Sequence, residues 1–197
     1  GSVLSSTLFR AVVHNHAKLA YNSVSQWLTG SEPAPERVMA VPGLDAQLRL
    51  QSRVAQRLKA RRHRQGALSL ETIEPRAVFE GEVLTGLRVE QKNRAKELIE
   101  DFMIAANQAT VSYLKGKGIP SFRRILRSPE RWQRIIEVAA RWGGRLPPEP
   151  DAAALEAFLV TRQQADPLRF PDVSLAIVKL IGRGEYVLDQ SKDGAPE

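Results

Sequence analysis

Three carboxylates, Glu97, Glu100 and Asp101, fall within five residues of one another, and clustered carboxylates are a usual means of holding a divalent metal or of sharing a proton. The spacing argues against that use here. At about 100° per helical residue, Glu100 and Asp101 point more than a quarter-turn apart, and they cannot close on one ion without distorting the helix that carries them. His14, His16 and His63 are the only histidines, and there is no cysteine. That leaves little from which to build a histidine-rich metal site and excludes disulfides and thiolate catalysis. No Asp-Asp pair, GxSxG, HExxH or Walker-type glycine loop occurs. Basic residues, by contrast, are concentrated: from Arg49 to Arg64 there are seven Lys/Arg and no acid. Arg53, Arg57, Arg61 and Arg64 recur at helical spacing. They form either a solvated face or a line of guanidinium groups able to follow phosphates.

The elements that must position these residues follow from periodicity. The stretch 93–114, NRAKELIEDFMIAANQATVSYL, is the longest helical pattern. Leu98, Ile99, Phe102, Ala105 and Ala106 make one apolar face, and Glu100 points away from it with Asn107, between Met103 and Ile104. A carboxylate on such a half-apolar second face needs an ion-pair partner, a solvent channel or a ligand. Upstream, 6–13 is a β-favouring run, followed by a turn and a short helix. Residues 30–43 form a Pro/Gly-rich loop with a short turn of structure inside it, and 44–65 a long helix stopped by Gly66. Short strands are expected at 67–70, 76–80 and 84–89. Beyond the central helix and a short extended piece, Ser128 and Pro129 open a helix over 128–142. RLPPEP is a rigid linker and 143–150 a weak sub-boundary. Asp151 caps a helix to 165, 166–171 is a loop, 174–182 is helical and 189–197 is a polar tail expected to be poorly ordered. The class is α+β: mostly helical, with a few short antiparallel strands packed on a long central helix.

With 197 residues, 43% hydrophobic and 26% charged, the chain suffices for one ordinary domain or two small ones. Its net charge of +7 and pI near 10.0 point to a polyanionic partner. No apolar run reaches the length of a membrane span and no signal-peptide pattern opens the chain, so a cytoplasmic protein with no membrane partner is expected.

The order of the pieces is more specific than any one of them. HAKLAYNSVSQWL, a basic helix leading to GALSLE, then strands, AKELIEDFMIAAN and KGIPSFRRI together resemble the catalytic (RNB) domain of the ribonuclease II / ribonuclease R family of 3′→5′ exoribonucleases. The whole chain, 1–197, reads as the central part of one such domain. The resemblance implies an α+β RNB fragment whose partners are single-stranded RNA and the remainder of the RNB domain. The family's Arg/Lys-Leu-Ser/Thr-Tyr element matches Lys18, Leu19, Ala20 and Tyr21, with Ala20 departing from it. The resemblance implies that Lys18 and Tyr21 bind RNA, the tyrosine at the ribose near the 3′ end. The family's Leu-hydrophobic-Glu-Glu-x-Met-x-x-Ala-Asn helix matches from Leu98 to Asn107, and Glu100 stands where the family's first glutamate reads the 2′-hydroxyl with the tyrosine. A phenol and a carboxylate can both hydrogen-bond that group, which separates RNA from DNA. Leu70 stands where some members stack an aromatic on the terminal bases, and it offers apolar contact without a π-face. The family's Mg²⁺-binding Asp-x-Asp-Asp run is expected before Gly1. Its His-x-x-x-x-Pro-x-Arg-Arg-Tyr segment is expected after Glu197, so this segment by itself is expected to be inactive. Two other functions fit the same residues: a non-catalytic RNA-binding module on the same fold, and a helical protein-interaction domain.

Overall fold

The computed structural model describes residues 3–71, 75–89, 92–126, 129 and 131–189. The chain is α+β and mostly helical, with two small antiparallel sheets. It divides into two compact units, one formed by Gly1–Arg61, Lys92–Ser121 and Leu188–Glu197, the other by Arg62–Gln91 and Phe122–Val187.

In the first unit, residues 3–20 carry neither helix nor strand. This corrects the strand expected at 6–13, whose β-favouring residues have no partner strand to satisfy their backbone groups. Helix α1 (Tyr21–Thr29) follows and ends at Gly30. That residue takes φ 81°, and its N–H and that of Ser31 return to the carbonyls of Trp27 and Gln26, a left-handed C-terminal cap that glycine enters at little cost. The single turn α2 (Glu36–Met39) buries Val38, and α3 (Leu44–Arg64) supplies the long basic helix. Helix α4 (Arg94–Gly116) is opened by Asn93, whose side-chain oxygen accepts the Lys96 N–H at 3.0 Å. α1 packs on α4. A core of Val24, Trp27, Val38 and Ala95 is edged by Leu19, Leu28, Ala34, Leu44 and Leu48.

The buried face of α4 differs from the one expected. Ala95, Leu98 and Asp101 are buried, while Ile99 is 42% exposed and Ala106 is exposed. Positions 95, 98 and 101 recur every three residues and so trace one stripe. The apolar residues at 99 and 106 lie off it. The acid that folding removes from water is therefore Asp101, and Glu100 points outward.

In the second unit, β1 (Pro75–Glu80) and β2 (Val83–Val89) form an antiparallel hairpin from Pro75↔Val89 to Glu80↔Val83, with an irregularity at Val78/Phe79. Gly81, at φ 65°, makes the turn. The strand expected at 67–70 does not form. Its backbone is held by side chains instead: the Ser69 N–H donates to Glu156 Oε2 at 2.5 Å and the Glu71 N–H to Ser174 Oγ at 2.6 Å.

Helix α5 (Trp132–Arg141) starts later than Pro129, because the Pro129 carbonyl accepts the Trp132 N–H in a preceding turn; Ser128 lies outside the described residues. The expected linker is folded in. Leu146 is buried, and the Pro147 carbonyl accepts the Trp132 indole N–H at 3.0 Å, so 143–150 lies inside this unit. Asp151 caps α6 (Ala152–Ala165), accepting from the Ala153 and Ala154 N–H groups. Helix α7 (Phe170–Ile181) begins four residues before the expected Ser174. Pro171 near its start needs no intrahelical hydrogen bond, and Phe170 is buried. The core comprises Trp132, Ile135, Ala139, Leu146, Leu155, Phe158, Leu159, Phe170, Val173 and Ile177. A further short pairing joins β3 (Ser121–Ile125) to β4 (Glu185–Asp189). The polar tail after Asp189 lies outside the described residues.

Candidate functional site

Several exposed polar groups of the first unit lie on or beside two helices whose starts are tied together. Tyr21 is the first residue of α1 and is 48% exposed. Its neighbour Asn22 accepts a hydrogen bond from the Asn93 side chain at 3.0 Å, and Ser25 Oγ accepts from the Arg94 N–H at 3.1 Å. These two bonds fix the start of α1 against the start of α4, since Asn93 is at the same time the cap of α4. Lys18 lies exposed just before α1, and the Arg37 guanidinium reaches its backbone carbonyl at 3.3 Å. Glu100 projects from the second turn of α4 with its side chain 54% exposed, and its partner Lys92 stands 3.9 Å away and is equally open. A solvated pair at that distance contributes little, so the carboxylate keeps acceptor capacity for another donor.

Below this surface, Arg94 is locked. Its guanidinium donates to Ser52 Oγ at 3.0 Å, to the Ser52 carbonyl and to Glu97 Oε2 at 3.4 Å. Lys59 donates to Glu97 Oε1 at 2.7 Å. Burial opposes ionisation of Glu97, but the Lys59 ammonium and the Arg94 guanidinium outweigh it and hold the carboxyl below its ordinary value of 4.5. Glu97 thus ties α3 to α4 rather than serving a ligand.

Leu70 belongs to the second unit, half-buried against its core. The segment around it is pinned by Glu156, which sequence reasoning passed over. Glu156 is 5% exposed and accepts the Ser69 N–H, the Ser69 hydroxyl at 2.7 Å and His63 Nδ1 at 2.7 Å. Its signal was present: a lone acid among Leu155, Phe158 and Leu159 on the buried side of α6. Serine, histidine and glutamate meet here without forming a nucleophile relay. Ser69 Oγ and Glu156 Oε1 both approach the same ring nitrogen, Nδ1, whereas a relay places acid and nucleophile on opposite nitrogens. The Ala67 carbonyl also accepts at Nδ1, 2.8 Å away. Nδ1 therefore carries the proton, and the cluster acts as a clamp on 67–71.

Arg53, Arg57 and Arg64 are exposed and Arg61 is half-buried along α3. Among the described residues no group of three His, Asp or Glu side chains converges on a metal position. No helix among the described residues is long and apolar enough to cross a membrane.

A family model described as the RNB domain matches residues 1–195. Ribonuclease R of Vibrio parahaemolyticus serotype O3:K6 is 30% identical over 174 residues, covering 84% of this chain and 20% of the relative. Ribonuclease R 1 of Lactococcus lactis subsp. lactis is 26% identical over 168 residues, covering 81% and 20%. The apo form of Mycoplasma genitalium RNase R superposes with TM-score 0.65 at 17% identity over 85% of this chain and 26% of that one. The same values hold for that protein in complex with ribose methylated single-stranded RNA. At that identity the likeness concerns the fold. The chain spans about a fifth of the length of these curated relatives. Because the family model extends from residue 1 to residue 195, the chain belongs to the RNB domain family.

Proposed function

We propose that this chain forms part of the RNA channel of a cytoplasmic 3′→5′ exoribonuclease that releases nucleoside monophosphates from single-stranded RNA. Within it, Tyr21 and Glu100 read the ribose. The observation that supports this reading is that, in the first unit, an exposed phenol at the start of α1 and an exposed, weakly paired carboxylate on α4 stand on helices tied by Asn22 and Asn93. A phenol that can donate and a carboxylate that only accepts suit a hydroxyl that does both. Lys18, exposed beside Tyr21, supplies a cation for an adjoining phosphate.

In this reading cleavage belongs to Mg²⁺-binding carboxylates and an arginine elsewhere in the RNB domain. This segment positions RNA and by itself releases no nucleotide. The test compares an RNA with a chimera carrying deoxyribose at its 3′ end. In the full enzyme, Glu100→Ala or Tyr21→Phe is expected to cost about fivefold on RNA, one hydrogen bond of about 1 kcal/mol, and little on the chimera. Equal losses on both would remove the ribose-reading role. The half-buried packing of Leu70, in place of a stacking aromatic, favours a second reading, an RNA-binding module without catalysis. RNA binding by the intact protein without nucleotide release would select it.

A further inference from the structure

Four arginines stand at strict four-residue intervals on α3: Arg49, Arg53, Arg57 and Arg61. All four lie in the first unit. Setting Arg53 at zero on a helical wheel, Arg57 falls at about 40° and Arg61 at about 80°. The residues that face inward, Ala55, Lys59 and Ser52, fall at about 200°, 240° and 260°. Ala55 is fully buried, Lys59 pairs with Glu97 and Ser52 receives Arg94. The arginine ridge therefore lies away from the face that carries Ala55, Lys59 and Ser52, with Arg53 and Arg57 exposed and Arg61 half-buried.

The neighbouring cations are engaged: Lys59 in its ion pair, and Arg49 stacked 4.6 Å over the Trp27 ring. Among the described residues no ion pair or ring contact engages Arg53, Arg57 or Arg61. Like charges four residues apart on a helix repel, and no acid lies between Asp45 and Gln65 to offset them. Such a ladder is stabilised when an external polyanion neutralises it. Each step rises about 6 Å, of the same order as the repeat of phosphates along an extended strand, and a guanidinium fork matches phosphate oxygens.

We propose that Arg53, Arg57 and Arg61 form a phosphate-tracking ridge that holds the backbone of a single nucleic-acid strand, indifferent to base and sugar. The proposal rests on the reading of the chain as RNA-binding, and it separates affinity from ribose discrimination: the ridge supplies the first, Tyr21 and Glu100 the second.

The test is fluorescence anisotropy of the intact protein with an oligouridylate and its deoxy counterpart across a series of salt concentrations. Arg53→Gln with Arg57→Gln is expected to reduce the slope of log affinity against log salt by about 1.4, two single-strand phosphate contacts, equally on RNA and DNA. The RNA-over-DNA preference stays as in the unsubstituted protein. Arg134→Gln with Arg141→Gln on α5, both exposed, removes the same net charge and is expected to leave the slope unchanged. An unchanged slope in the α3 variant, or an equal fall in the α5 variant, would overturn the ridge while leaving the ribose reading intact. A flattened slope together with no RNA-over-DNA preference in the unsubstituted protein would overturn the ribose reading and keep the ridge.

Discussion

Adjacent carboxylates on one helix have opposite fates here, and the difference is one of azimuth. Asp101 is 2% exposed while the Glu100 side chain is 54% exposed, because a step of about 100° carries the second acid onto the stripe set by Ala95 and Leu98. Glu97 has a third fate, as the bridge between Lys59 and Arg94. Its folded-state pKa lies below its ordinary 4.5, so it binds fewer protons folded than unfolded. The stability it contributes is fully present above about pH 4.5 and is lost as pH falls through the lower folded value. Denaturant titrations across that window are expected to show this loss in the parent protein and a smaller one in Lys59→Met. The difference should not exceed about 1 kcal/mol, since the ammonium is partly exposed. An identical pH dependence in the two proteins would disprove the coupling. Glu156 carries more weight: Glu156→Leu leaves the half-buried Ser69 N–H and hydroxyl without their acceptor and is expected to cost about 2 kcal/mol. Glu156→Gln, which keeps an acceptor, should cost less.

At the scale of elements, the helices were legible where local chemistry set them. Asp151 caps α6 as expected, and Asn93, where the helical pattern was read to begin, caps α4. The strands at 75–80 and 83–89 lie where β-branched residues flank Gly81. The misplaced elements share a cause. Segments 6–13 and 67–70 have strand composition but no partner strand in a ladder, and composition does not report a missing neighbour. The RLPPEP segment reads as linker because prolines break local structure, yet Trp132 and Leu146 draw it into a core. Gly144 is the price of that fold-back, since a Cβ there would collide with the Phe158 ring. Gly144→Ala is expected to lower stability by about 1–3 kcal/mol, read as a fall in the denaturation midpoint with unchanged helix content. A neutral result would show that Phe158 has room to move.

At the scale of the molecule, two cores form among the described residues, around Trp27 and Val38 and around Ile135, Leu159 and Phe170. Ile135 is fully buried in the second, and Ile135→Ala is expected to cost about 2–5 kcal/mol through lost transfer energy and the cavity left behind. Calorimetry would measure it, and a loss below 1 kcal/mol would mean that the second core collapses around the gap. The family was legible from sequence because the order of the pieces along the chain carries its pattern, and the family model matches residues 1–195. By itself the sequence determined the α+β class, the long helices, the Asp151 cap, the basic run and the RNB resemblance, all of which depend on local order and on spacing along one chain. Tertiary structure alone decided that Asp101 is buried, that Glu156 clamps the segment carrying Leu70, and that Arg53 and Arg57 of α3 are exposed, away from Ala55 and Ser52. Each of these depends on which side of a helix meets a neighbour distant in sequence, and periodicity specifies a face without naming what lies against it.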